Sequence, residues 1–333
     1  MRISLFLPHV GVFGGVRRYL ELGNEWLAMG HAVTLYHPAG TAPGWLPFAG
    51  ATATPDAALG AFADLAICGD VHSYPAFRAH SALRHVYYCV LEGDPGLELA
   101  LPDPGVTLMA NSGPLVGQLG TVASFIRRKR IVILSGIGGI RPERFHPDAS
   151  QRAAAPLRVL VNGRRSRAKK GTDLVLRALA GLVGQVPAFE TVLFDALDPE
   201  TNRQDPRDGA PLPPGARFVL NPTQDELVQL YQSSHVFVAA EKKAGWCNTG
   251  LEAMASGCAL VCTRSGTTDF ARHGDNALVA WRHPWFLRRA LRRVLSDAAL
   301  RERLSARGPE SAAPWAWPLL ARRILTQVSS VMR

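Results

Sequence analysis

The sequence predicts an α/β protein made of two Rossmann-like halves, and three observations carry that expectation. Short apolar runs alternate with helical patterns along the chain, the signature of parallel sheets built from βαβ units. A plan of strand, glycine-containing loop and helix occurs twice, once at the start and again at "PLRVLVNGRRSRAKKGTDLVLRALAGLV". The length, 333 residues with 47% hydrophobic and 19% charged, suits two domains with their own cores and argues against disorder.

In order, "RISLFLP" reads as a strand, "HVGVFGG" as a loop, and Val16, Leu20, Gly23 and Leu27 as one face of a helix ending at Gly30. "HAVTLYH", "ADLAIC", "RHVYYCV" and "VTLMANS" follow as strands of the same sheet. Residues 141–156, "RPERFHPDASQRAAAP", carry three prolines and no apolar period, so they are expected to link the domains. In the second half, Val175, Leu179, Leu182 and Val183 are expected to be the buried face of the first helix. "TVLFD", "ARFVL", the helix "TQDELVQLYQSS" and the strand "HVFVAA" come next, and "AGWCNTGLEAMASGCALVCT" then reads as turn, short helix and buried strand.

Several classes are set aside by composition. The five cysteines, Cys68, Cys89, Cys247, Cys258 and Cys262, are odd in number, scattered and without a C-x-x-C pair, which points to a reducing cytoplasm, not a disulfide or zinc framework. The opening "MRISLFLPHVG" breaks at Pro8 and His9 after five apolar residues and reads as a first strand, not a signal peptide; no apolar run reaches the length of a membrane span. A net charge of +10 implies anionic partners. Nucleic acid is not the favoured one, because basic residues and aromatics are not interleaved as in the known binding modules.

Sheets of this kind bind ligands beyond the carboxyl ends of their strands, so a cleft between the domains is expected, and both strand-to-helix turns are candidates to line it. In the first, Gly14 and Gly15 would let backbone N–H groups approach a phosphate. In the second, Arg164, Arg165, Lys169 and Lys170 precede a helix expected to begin near Thr172. A helix dipole holds an anion with about 0.3–1 kcal/mol, whereas a hydrogen bond to a charged group is worth roughly 1.5–3 kcal/mol. A diphosphate would therefore lean on the cations more than on the glycines. Each turn taken alone is equally a plain structural loop. Two readings are likewise open for Glu252: a T-x-x-E capping box with Thr249, or a ligand contact at a helix start.

At this point the residues carry a resemblance. The run "SSHVFVAAEKKAGWCNTGLEAMASGCALVCTRSGTTDFARHGDNALVA", residues 233–280, is similar to the nucleotide-sugar site of retaining glycosyltransferases of family four, which have the two-domain GT-B fold. "GGVRRYLELGNEWLAMGHAVTLY", "MANSGPLVGQL", "GRRSRAKKGTDLVLRAL" and "APWAWPLLARRILTQV" resemble other segments of that family, the last its closing helix that crosses back to the first domain. The expected domains are 1–145 for the acceptor, 146–312 for the donor, and 313–333 for the returning helix.

The resemblance implies roles. An Arg and a Lys five apart would hold the donor diphosphate: Arg165 with Lys170, favoured by the glycine that follows, or Arg164 with Lys169. Glu252 would bind the ribose, and Asn248, Thr249, Gly250 and Leu251 would offer N–H groups to phosphate and sugar. Asn221 and Pro222 would flank the base, and Gly14 and Gly15 would close on the diphosphate. Gly245 belongs to the same donor loop, and Trp246 would either line the sugar pocket or pack in the core. Two departures stand out. The family's second glutamate, eight positions before Glu252, is Ala244 here, so either Glu241, Lys242 or Lys243 takes over from a reshaped loop or the sugar contact differs. Where many members have His-Asp, this chain has Leu91 and Glu92; Glu92 and Asp94 would orient sugar or acceptor, or simply cap a loop.

The implied reaction transfers a sugar from a nucleoside-diphosphate donor to a glycan, lipid-linked or small-molecule acceptor with retention of configuration. Positive charge grows on the ring and negative charge on the departing diphosphate, and fixed cations stabilise the latter without reorganisation. No Asp-x-Asp pair ends a strand, so neither metal nor cofactor is expected. The rival readings are a catalytically silent partner subunit, motivated by Ala244, and an epimerase of the same fold. His72, His85 and His235 read as packed histidines, and Trp315 and Trp317 as anchors of the last helix. Arg288, Arg289, Arg292 and Arg293 in "FLRRALRRVLSD", with "RRKR" at 127–130, would suit a peripheral bilayer contact, an anionic lipid-linked acceptor or, more simply, a solvated face.

Overall fold

The computed structural model describes residues 1–125, 132–152, 156–198, 204–205, 207–208, 212–213 and 215–331. The "RRKR" cluster at 127–130 lies outside the described residues. The chain divides into two compact units, Met1–Gly139 with Trp317–Arg333, and Ile140–Ala316.

The first unit runs β1 (Arg2–Phe6), α1 (Gly14–Ala28), β2 (Ala32–Tyr36), β3 (Ala51–Ala53), β4 (Phe62–Cys68), α2 (Tyr74–Ala79), β5 (Ser81–Cys89), α3 (Leu97–Ala100), β6 (Val106–Ala110), α4 (Gly113–Phe125) and β7 (Ile133–Ser135). The sheet is parallel with order β3-β2-β1-β4-β5-β6-β7. Both faces are covered, as a parallel sheet requires. Ile3, Leu5, Leu65, Ile67, Val86 and Tyr88 face one core with Val16, Leu20 and Trp26 of α1, while Phe6, Ala66, Cys68, Tyr87 and Cys89 face another with Phe77 and Leu115.

The second unit contains β8 (Leu157–Asn162), α5 (Thr172–Ala180), β9 (Phe189–Asp195), β10 (Arg217–Leu220), α6 (Gln224–Gln232), β11 (Val236–Ala239), α7 (Asn248–Ala255), β12 (Ala259–Cys262), β13 (Ala277–Val279), α8 (Pro284–Ser296) and α9 (Ala298–Ala312). Its strands are also parallel, in the order β10-β9-β8-β11-β12-β13. In each sheet the order reverses once, between β1 and β4 and between β8 and β11. Such switch points are where open α/β sheets leave a crevice beyond the strand ends.

The last helix, α10 (Trp317–Val331), belongs to the first unit. Trp317 and Ile324 join the core beside α1, the Trp26 indole donates to the Ala321 carbonyl at 3.2 Å, and Gln327 brackets Ser135 through both backbone groups at 2.8 and 3.0 Å. Arg18, 2% exposed, lies 5.3 Å over the Trp317 ring and donates to the Tyr88 hydroxyl at 2.9 Å. Trp317 thus anchors this helix, whereas Trp315 packs in the second unit against Trp246 at 5.4 Å.

Three expectations change. The segment 141–156 is not a bare linker: its described part packs on the second unit. Phe145 is buried against Tyr231, and Arg152 donates to the Gln232 and Ser256 carbonyls at 3.1 and 3.0 Å. The units divide at 139/140 and 316/317, where 145/146 and 312/313 were expected. Val183 is 72% exposed, because α5 ends at Ala180 and the chain turns at Gly181. The three-residue strands β3, β7 and β13 were too short to show a period.

Candidate functional site

The basic loop after β8 is shaped by its backbone. Residues Ala168–Lys170 form a 3-10 turn that ends at Gly171 with φ 76°, and a Cβ there would run into the Ala240 carbonyl oxygen. Only glycine fits both the left-handed turn and that close approach. The turn brings Lys170 beside the end of β11, where its Nζ meets Glu241 Oε1 at 2.8 Å. Lys242 N donates to the Lys169 carbonyl at 2.8 Å, and Arg282 donates to the carbonyls of Ala168 and Ala240 at 2.8 and 2.9 Å. The loop is therefore pinned at the β8/β11 switch point.

The cations of this loop have different employment. Arg164 is 7% exposed and forks onto Asp195 at 2.8 and 2.9 Å, tying the ends of β8 and β9 together. Two of its N–H directions are thereby spent on structure. Arg165 Nε reaches Asp173 Oδ1 at 2.7 Å, in the first turn of α5. Burial, and then the Arg167 and Lys170 charges, push the Lys169 ammonium below its ordinary value, with Glu241 opposing. Burial, and then Arg164, do the same to the Arg167 guanidinium. Part of each shift is repulsion between neighbouring cations, which an anion bound at the loop would relieve. Arg167 was quoted in the sequence motif but nominated for no role; its signal was the density of the basic run.

The second loop, after β11, carries strain. Lys243 has φ 61°, an uncommon conformation for a non-glycine residue. Ala244 N–H donates to Ser265 Oγ at 2.8 Å, and Gly245 is buried in the same turn. Trp246 is 7% exposed and packs edge-on to Phe270 at 5.2 Å and Trp315 at 5.4 Å, so of its two expected roles it takes the core one. Helix α7 begins at Asn248 with Cys247 as N-cap, and no side chain caps it. Leu251 N–H is already spent on the Cys247 carbonyl at 3.1 Å, so of the run expected to offer N–H groups this one is committed internally. Burial, and then the Glu241 charge, push the Cys247 thiol up to about 12, far from a thiolate nucleophile.

Glu252 is not a capping residue. Because α7 starts one residue before Thr249, Glu252 lies past the first turn, 4% exposed, and its Oε2 accepts from the Tyr231 hydroxyl at 3.0 Å. Tyr231 is fully buried among Phe145, Phe194 and Phe237, so the carboxylate satisfies a hydroxyl set in an apolar cluster. Asn221, at φ 52°, holds the exit of β10 by accepting from Leu197 N–H at 2.7 Å, with Pro222 next to it. A capping box does exist nearby, between Thr223 and Glu226 at the start of α6.

In the first unit, Gly14 and Gly15 open α1, whose N-cap Phe13 makes no side-chain cap bond. Glu92 is exposed in a turn after β5. Asp94 is buried: its Oδ1 accepts from the Tyr87 hydroxyl at 2.9 Å and Gly96 N–H at 3.0 Å, while Oδ2 has no partner among the described residues. Burial raises its carboxyl above the usual range. The structure thus separates the pair into an exposed carboxylate and a buried one. His85 is buried, T-stacked on Phe77 at 5.0 Å, and His235 accepts from Arg158 N–H at 3.0 Å; both are packing histidines. His72 is exposed. Among the described residues no three His, Cys, Asp or Glu side chains gather as a metal site would need, and no helix is long and apolar enough to cross a membrane.

Residues 146–311 match the family described as Glycosyl transferases group 1. A curated D-inositol 3-phosphate glycosyltransferase of Nocardioides sp. is 29% identical over 184 residues, spanning 50% of this chain and 40% of that protein. A sucrose-phosphate synthase from Thermosynechococcus elongatus superposes with TM-score 0.74 at 16% identity, covering 99% of this chain and 98% of that one. Anabaena HepE, solved in complex with UDP-glucose, gives TM-score 0.74 at 14% identity, covering 99% and 100%. These structures share the fold, two parallel α/β units of the GT-B kind. Through residues 146–311 the chain belongs to the glycosyl transferases group 1 family.

Proposed function

We propose that the chain is a glycosyltransferase that moves a sugar from a nucleoside-diphosphate donor to an acceptor hydroxyl, with retention and without a metal ion. The observation that supports this most is the meeting of the basic loop and Glu241 at the β8/β11 switch point. Lys170 and Arg165 take the leaving diphosphate, each exchanging part of its present carboxylate contact for phosphate oxygens. Arg167 and Lys169 add to the field; Arg164 shapes the loop. As Lys170 turns to phosphate, Glu241 is released toward the sugar hydroxyls, the place left by Ala244. Glu252, oriented by Tyr231, binds the ribose. A UDP-sugar is the first donor to test, since HepE was solved with UDP-glucose.

The acceptor class stays within glycan, lipid-linked or small-molecule hydroxyls, with the buried Asp94 and exposed Glu92 as its expected contacts in the first unit. Five free, buried cysteines suit a reducing cytoplasm. The test is calorimetry with UDP. Loss of one charged hydrogen bond, roughly 1.5–3 kcal/mol, makes Lys170→Ala bind about tenfold to a hundredfold more weakly, and Arg165→Ala similarly. EDTA is expected to leave both binding and sugar transfer unchanged. Unaltered UDP affinity in both variants would overturn the site. A native protein that binds UDP-sugar yet releases no UDP with any acceptor would favour the silent-subunit reading.

A further inference from the structure

Trp281, just before α8, and the outer face of α8 present exposed groups that none of the proposed donor contacts uses. Trp281, Trp285 and Phe286 are 69%, 55% and 40% exposed. Trp285 and Phe286 meet edge to face at 4.8 Å, and His283 lies 6.3 Å from Phe286. Arg264 sits 5.9 Å over the Trp281 ring, and Arg289 sits 5.9 Å over the Trp285 ring. Leu287, Leu291, Val294 and Leu295 are the buried side of α8, whereas Arg288, Arg289, Arg292 and Arg293 are exposed. No carboxylate occurs between Asp275 and Asp297, and Asp275 is engaged with Arg307 at 3.5 Å.

A solvated helix face accounts for the arginines but not for three large aromatic rings left in water beside them. Indoles favour a boundary with one apolar and one wet side, and arginines favour anionic headgroups. A two-fold dimer through this face would bring its arginines against the same arginines of the other copy. We propose that this surface docks the protein on an anionic bilayer, with Trp281, Trp285 and Phe286 at headgroup depth and Arg289, Arg292 and Arg293 on the lipid phosphates. The helix lies on the membrane by its basic side and keeps its leucines in the protein core. The inference rests on none of the sugar chemistry proposed above.

The experiment is co-sedimentation of the full chain with phosphatidylcholine vesicles, with and without phosphatidylglycerol, alongside tryptophan emission. The native protein is expected to partition onto the anionic vesicles with a blue shift, and weakly onto neutral ones. Arg289→Glu with Arg293→Glu is expected to lower that partition by about tenfold or more, at about 1 kcal/mol per basic residue. Trp281→Ser with Trp285→Ser, both surface positions, is expected to abolish the blue shift and most of the binding while circular dichroism is unchanged. Equal partition of native protein and both variants would overturn the proposal. So would self-association that the tryptophan variant abolishes without any vesicle binding, or single-stranded DNA retained in preference to anionic vesicles.

Discussion

The chain contains the pattern T-x-x-E twice within thirty residues, at Thr223–Glu226 and at Thr249–Glu252, each next to a short helix of the second unit. At the first, the Thr223 hydroxyl accepts from Glu226 N–H at 3.2 Å while the Glu226 carboxylate accepts from Thr223 N–H at 2.8 Å, a reciprocal cap in full exposure. At the second, the helix has already begun at Asn248, Cys247 occupies the cap position, and the glutamate turns inward to Tyr231. One pattern gives a local device on the surface; the same pattern shifted by a residue or two gives a buried carboxylate joining α6 to α7. Position relative to the helix start, not residue type, decides which.

Substitutions at the two sites sharpen this contrast, beginning with the largest effect. Glu252→Ala leaves the Tyr231 hydroxyl buried without its acceptor, at about 1–3 kcal/mol, and is expected to weaken UDP binding at least tenfold as well. Thermal unfolding and calorimetry on the same variant read both; UDP affinity unchanged by a folded Glu252→Ala would reduce the residue to a structural tie. Thr223→Ala removes a genuine N-cap and should cost about 1 kcal/mol, with donor affinity intact. Thr249→Ala should stay within about 0.5 kcal/mol of native; a loss as large as that of Thr223→Ala would erase the distinction between the two sites.

The smallest effect is one of pH. The Thr223 N–H and hydroxyl hold the Glu226 carboxyl below its ordinary value. A carboxyl depressed in the folded state stabilises above its unfolded pKa, and that contribution fades as pH falls through the folded one. The melting-temperature gap between native protein and Glu226→Ala should therefore be full at neutral pH and close on acidification below about 4.5. A gap that widens in acid would contradict the reciprocal cap.

Much of the architecture was legible before any coordinates. Two parallel sheets, the strand-loop-helix repeat and the Lys-Gly turn follow from local apolar runs and from glycine chemistry, as β1, β4, β5, β8 and β11 illustrate. Three-residue edge strands escaped notice because they are shorter than any period. Val183 was misplaced because the apolar pattern outlasts the helix that carries it. Among the candidate site residues, the basic run could be named from residue type and position, whereas Glu241 and the ribose role of Glu252 came only with the resemblance. Which cation faces which carboxylate could not.

By itself the sequence determined the elements, their parallel pairing and the density of positive charge after β8, because strand and helix periods and turn residues act over a few neighbours. Only the tertiary structure decided that Arg164 serves Asp195, that Lys170 finds Glu241, that Glu252 answers Tyr231 and that Trp246 belongs to the core. Those partners are separated by 31, 71 and 21 positions along the chain in the three bonded cases. A hydrogen bond or ion pair across such a span exists only once the fold has brought the strand ends, or the helices α6 and α7, together, so nothing in the local pattern could announce it.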